Sequence, residues 1–167
     1  MADGKDFTVA LIQGGVVSPG GFRTSAVHCG VKANASALDL VVLAADGLAS
    51  AAALFTTNLA QAAPVILSRE HIDFSGGAVR AIVVNSGCAN ACTGPPGQAH
   101  AKLMAAETAA ALDCAPHNVL VASTGVIGVG LPIDRVVAGI RTAVPALASG
   151  HGSDAARAIM TTDLFPK

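Results

Sequence analysis

The sequence predicts an α/β fold, and three observations carry that expectation. Short apolar runs at residues 40–45, 82–84 and 119–122 have the length and composition of buried strands. Two later segments repeat apolar residues at helical spacing: Ala101, Met104, Ala105 and Leu112, then Ile133, Val137, Ile140 and Val144. The chain has 167 residues, 52% of them hydrophobic and only 13% charged, so a single domain over residues 1–167 can bury a sizeable core.

Residues 7–12 read as a first strand. Residues 13–23 are a turn-rich loop holding Gly14, Gly15, Gly20 and Gly21, with neither a phosphate-loop ending nor a dinucleotide fingerprint. Residues 25–32 alternate like a half-buried strand, with His28 structural or exposed. Residues 38–45 form an apolar strand interrupted only by Asp39. Asp46-Gly47 is a turn dipeptide, so residues 50–56 are expected to return as the second arm of a hairpin. Ala51, Ala52 and Ala53 would then pack tightly against a neighbouring layer. Residues 63–67 and 78–84 read as two more strands, separated by a short helix at 68–72 that ends before Gly76-Gly77.

The stretch at 85–97 reads as a loop whose Asn85, Ser86, Asn90 and Thr93 suit either polar recognition or plain turn chemistry. Residues 98–112 are a helix, with Thr108 on its apolar stripe. The strand at 119–122 is expected to break at Ser123-Thr124-Gly125. That break is either an ordinary turn or a means of bringing a hydroxyl and backbone N–H groups close to developing negative charge. Pro132 opens the next helix. Residues 150–153 are a link, and 154–160 a short helix leading to Thr161-Thr162-Asp163.

Composition narrows the function classes. The net charge is -1, there is no Trp or Tyr and aromatics are 3%, which argues against nucleic acid. Mean hydropathy is high at +0.58, yet the apolar runs are too short to span a bilayer. A chain this apolar is expected to present a surface to a partner. Cys29, Cys88, Cys92 and Cys114 form no C-x-x-C pair and no secretory signal is visible, so free thiols in a cytoplasmic setting are expected. Cys88 and Cys92 are spaced to share a helix face, but no His or carboxylate stands at a ligand spacing, so neither metal nor cofactor is expected.

Six segments occur in a telling order: Ala53-Leu54-Phe55-Thr56-Thr57-Asn58, Ala62-Ala63-Pro64-Val65, Val84-Asn85-Ser86-Gly87-Cys88-Ala89-Asn90-Ala91-Cys92-Thr93-Gly94, Ala122-Ser123-Thr124-Gly125-Val126-Ile127-Gly128, Leu131-Pro132 and Ala158-Ile159-Met160-Thr161-Thr162-Asp163. From about Gly14 onward they resemble the amino-terminal part of the bifunctional ornithine acetyltransferase / N-acetylglutamate synthase family of arginine biosynthesis. The resemblance implies mixed β-sheets sandwiched by helix layers, an αββα-like arrangement of self-processing enzymes. It implies a precursor that cuts itself before a threonine, whose hydroxyl takes acetyl from N-acetylornithine and passes it to glutamate, its own α-amino group serving as base. Acetyl-CoA as a further donor is left open.

By the same resemblance Thr124 and Gly125 match the oxyanion-hole pair, and Thr161 matches a substrate-binding threonine. Cys88 departs from the commoner Asn. The family's Lys-Gly segment and Ala-Thr cleavage site lie beyond the point matching Lys167. This chain is therefore expected to be an α-chain portion, inactive alone, whose nucleophile sits on a β chain in an α2β2 heterotetramer. A non-catalytic small-molecule-binding subunit is the alternative from another class. A self-processing aminopeptidase of similar architecture is a third, against which the arginine-pathway motifs argue.

Overall fold

In the computed structural model, which describes residues 14–166, four strands form one mixed sheet. They are β1 (Phe22–Val27), β2 (Leu40–Ser50), β3 (Ala78–Cys88) and β4 (Val119–Val126), side by side in chain order. The pairs β1–β2 and β2–β3 are antiparallel, while β3–β4 is parallel. A parallel pair needs a crossover. Helix α2 (Gly94–Ala111) supplies it; α1 (Ala63–Ser75) lies between β2 and β3, and α3 (Ile133–Ala143) and α4 (Gly152–Ala158) follow β4.

Strand alternation sorts the side chains into two layers. Leu40, Val42, Ala44, Ala81, Val83, Val119 and Val121 meet α1, α2 and α3 in the main core, where Met104, Val136 and Ile140 are fully buried. On the other face Val41 meets Ala155 and Ala158 of α4. The expected α/β architecture, a mixed sheet with helices, is what forms. The buried small residues Ala101, Ala105 and Ala109 let α2 approach the sheet closely. Thr108 sits among them because its hydroxyl donates to the Met104 carbonyl at 2.8 Å. Among the described residues, no helix is long and apolar enough to cross a membrane.

Several local expectations are corrected. The strand expected at residues 7–12 lies outside the described residues. Asp46-Gly47 does not turn a hairpin: β2 runs through it to Ser50, its pairing with β3 shifting between Ala44 and Ala49. The irregularity absorbs the dipeptide, and Arg23 Nε holds the Asp46 carboxylate at 2.9 Å. Residues 51–58 form no strand, and Ala52 and Ala53 are exposed. Residues 63–67 are the start of α1 rather than a strand. The β-branched Val65-Ile66 pair is overridden by Pro64 in the first turn and by burial of Ala63, Leu67 and Ser68 on one helical face. β1 ends at Val27, and the chain turns at Gly30 (φ +88°) instead of extending to Lys32.

β3 reaches Cys88 and α2 begins at Gly94, so the loop expected at 85–97 is much shorter. Cys88 ends a strand and Cys92 stands in the connection, so they share no helix face. On α3 the buried side is Val136, Gly139, Ile140 and Ala143, rotated from the expected stripe. Gly139 accounts for the rotation: a Cβ there would lie 2.5 Å from Cys29 Cβ and 2.7 Å from Leu40 Cδ2. Its bare backbone is the point where the helix meets the sheet.

Candidate active site

The strand expected to break at Ser123 does not break. β4 continues beside β3 to Val126, pairing Asn85 with Ser123, Ser86 with Thr124 and Gly87 with Gly125. Its polar residues therefore fall alternately on the two sheet faces. Ser123 turns to the helix-covered face, where its hydroxyl donates to Asn85 Oδ1 at 2.6 Å and Asn85 Nδ2 donates to the Cys88 carbonyl at 2.8 Å. Thr124 takes the other face with Ser86. Its hydroxyl is half-buried and bonded to nothing among the described residues.

Gly125 has φ +128° and faces Gly87 at φ +104°. A Cβ on Gly125 would lie 2.4 Å from the Gly87 carbonyl carbon and 2.7 Å from Cys88 N. No side chain fits there, so Thr124 is followed by bare main chain packed against Gly87.

β4 is the sheet edge, and α1 covers part of it. Ser68 Oγ donates to the Val121 carbonyl at 2.8 Å and accepts from the Val121 N–H at 2.9 Å. His71 Nδ1 lies 2.8 Å from the Val119 carbonyl. Alternate residues of an edge strand turn their main-chain groups outward. Val119 and Val121 do so, and the same alternation leads on to Ser123 and Gly125. The Val126 carbonyl turns the opposite way, accepting from Ala89 N at 2.9 Å.

Thr161 lies beyond α4, exposed, on the wall of an open cavity of about 630 Å³ that Lys32, Leu38, Arg157 and Met160 also line. Its N–H donates to Asp163 Oδ2 at 3.2 Å. The carbonyl of Ala158, three residues earlier, accepts from the Ser86 hydroxyl. Because Ser86 is the register partner of Thr124, the segment carrying Thr161 starts at the same end of the same sheet face as Thr124.

Sequence reasoning missed the support for this corner. Asp39 is fully buried; its Oδ1 accepts from Cys29 N at 2.6 Å, and its Oδ2 accepts from Gly30 N at 3.1 Å and Lys32 N at 2.9 Å. His28 Nδ1 stands 3.3 Å from Oδ2. Burial alone would raise the Asp39 pKa, but the Cys29 and Lys32 N–H groups, the Cys29 thiol and His28 outweigh it and hold the carboxyl below its ordinary value. Burial, reinforced by the Asp39 charge, pushes the Cys29 thiol up to about 12, which leaves it unreactive. The visible signal was the lone charge in an apolar run, since a buried carboxylate must find donors.

The ArgJ family pattern matches residues 23–167. The chain belongs to the ArgJ family. It is 50% identical over 157 residues to a protein of Symbiobacterium thermophilum named arginine biosynthesis bifunctional protein ArgJ, covering 93% of this chain and 39% of that protein. It is 48% identical over 153 residues to the Chlorobaculum tepidum protein of the same name, covering 89% of this chain and 36% of that one. This ArgJ chain thus spans well under half the length of these relatives. Among solved structures, it superimposes on ornithine acetyltransferase complexed with ornithine from Mycobacterium tuberculosis with a TM-score of 0.86 and 43% identity, covering 92% of this chain and 82% of that one. The Bacillus halodurans ArgJ structure gives a TM-score of 0.83 at 39% identity, covering 90% and 78%.

Proposed function

We propose that this chain is the amino-terminal part of an enzyme that transfers acetyl from N-acetylornithine to glutamate in arginine biosynthesis. In this reading Thr124 and Gly125 form the oxyanion hole and Thr161 helps hold the substrate. The attacking threonine belongs to the portion of the relatives that this chain does not span, as a separate β chain after self-cleavage, the two assembling as a heterotetramer in the cytoplasm. The observation that carries the reading is the Thr124 hydroxyl, uncommitted among the described residues, followed in the chain by a glycine that lies too close to the Gly87 main chain to carry a side chain.

The chemistry follows from charge. Attack of a threonine hydroxyl on the acetyl carbonyl of N-acetylornithine moves an electron pair onto the carbonyl oxygen. The proton leaves the hydroxyl for the threonine's own α-amino group. Collapse breaks the amide C–N bond, and the ornithine amine departs with a proton. Glutamate's amine then attacks the acetyl ester, again placing charge on the same oxygen; collapse breaks the ester C–O bond, and the threonine oxygen recovers a proton from the attacking amine through the α-amino group. Donors fixed before the reaction stabilise that charge without reorganising. The Thr124 hydroxyl and the Gly125 N–H are the donors available at this corner, and one set serves both half-reactions.

The test is to complete this chain with the carboxyl-terminal portion of the Symbiobacterium thermophilum relative and assay acetyl transfer. Thr124→Ala should lower kcat by about a hundred- to thousandfold, the usual loss for one oxyanion donor, while KM changes far less. Thr124→Ser keeps the hydroxyl and should retain most activity. Near-normal turnover by folded, processed Thr124→Ala would make the oxyanion assignment wrong. Ligand binding without any turnover by the completed protein would favour a non-catalytic binding subunit.

A further inference from the structure

The Ala158 carbonyl closes α4, a helix of seven residues that is too short to hold its own end firmly. Two side chains from distant parts of the chain converge on it. Ser86 Oγ donates from β3, where Ser86 is 1% exposed and stands beside Thr124. Lys32 Nζ donates to the same carbonyl at 3.4 Å and also to the Leu38 carbonyl at 2.9 Å. A cation at a helix C-terminus complements the unpaired carbonyls and the dipole.

Lys32 is itself held in place. Its N–H is bound by the buried Asp39 carboxylate at 2.9 Å. Its stem packs on Gly87, where an added Cβ would lie 3.1 Å from Lys32 Cγ. Gly87 is also the residue against which Gly125 lies. Lys32 and Thr161 line one cavity. A continuous path of contacts therefore joins Asp39, Lys32, Ala158 and Ser86 to the strand carrying Thr124.

We infer that Lys32 and Ser86 are positioning residues that clamp the Ala158 carbonyl and so set Thr161 against the Thr124 strand. The inference rests on the proposed substrate role of Thr161. Neither residue touches the reacting atoms. Both act through the segment that follows α4, so their loss is felt in substrate binding more than in the chemical step.

The experiment uses the completed enzyme, with KM for N-acetylornithine, kcat and thermal midpoint measured together. Lys32→Met keeps the aliphatic stem and removes the donor; it should raise KM by about tenfold, the worth of one such bond, with kcat within about twofold. Lys32→Arg restores a donor and should return KM toward the starting value. Ser86→Ala should move KM in the same direction as Lys32→Met. Thr161→Val should raise KM comparably, and the double variant of Lys32→Met with Thr161→Val should do no more than the larger single change, because both act through one contact. Multiplying effects in the double variant would overturn the clamp. So would an unchanged KM in Lys32→Met and Ser86→Ala when Thr161→Val raises it. An unchanged KM in Thr161→Val would instead overturn the substrate role of Thr161. If Lys32→Met does not fold, Ser86→Ala decides by the same comparison.

Discussion

Asp39 carries its charge into the core just ahead of β2, and the three N–H groups around its carboxylate are what make that tolerable. Its folded pKa lies below the ordinary 3.8. A depressed carboxyl contributes stability that is fully present above the unfolded value and is lost as pH falls through the folded one. The urea midpoint of the chain should therefore drop as pH is lowered from 5 to below 3.8, in part through Asp39. Asp39→Asn removes this titration and presents an amide to N–H donors, so it should cost about 2 kcal/mol or more at pH 7 while flattening the acid dependence. Equal pH slopes for the two proteins would show that Asp39 does not carry the effect. The same residue underlies the proposed clamp, because the loop it gathers delivers Lys32.

Helix α1 does more than bury Leu67 in the main core; it covers the open edge of β4. Ser68 satisfies both main-chain groups of Val121 with one hydroxyl, in a buried setting. Ser68→Ala leaves a buried donor and acceptor without partners, and should lower stability by about 1–3 kcal/mol. Amide hydrogen exchange at Val121 should speed up more than at Val83 in the centre of the sheet; uniform acceleration across the sheet would rule out a local edge role. The covered edge lies just ahead of Ser123, on the strand that goes on to Thr124 and Gly125.

Across the whole molecule the two sheet faces are unequally covered. Three helices bury one face, while on the other α4 packs at Val41. Leu43, Ile82 and Leu120 are left half-buried, and Ala122 and Val126 are exposed. Apolar surface of this kind drives association at micromolar concentration. The chain by itself should self-associate in sedimentation velocity, and co-expression with the carboxyl-terminal portion of a relative should suppress this. A monodisperse monomer without a partner would contradict that expectation and favour an independent binding module.

Periodicity and local chemistry were enough for the α/β class, for α2 and α3, for the central strands and, through the ordered motifs, for the family. These features depend on near neighbours: apolar spacing, prolines in first turns, and short runs of Val, Leu and Ile. What depended on distant partners was not legible in the sequence. Val65-Ile66 looks like a strand until Pro64 and the sheet against α1 make it helical. Asp46-Gly47 looks like a turn until β3 resumes its pairing at Ala49 and carries β2 past the dipeptide. Ser123-Thr124-Gly125 looks like a break until β3 lies alongside and supplies a facing glycine. Only the tertiary structure could bring Lys32, Ser86 and Ala158 together, because a hydrogen bond across 126 residues of chain leaves no period and no local composition to read.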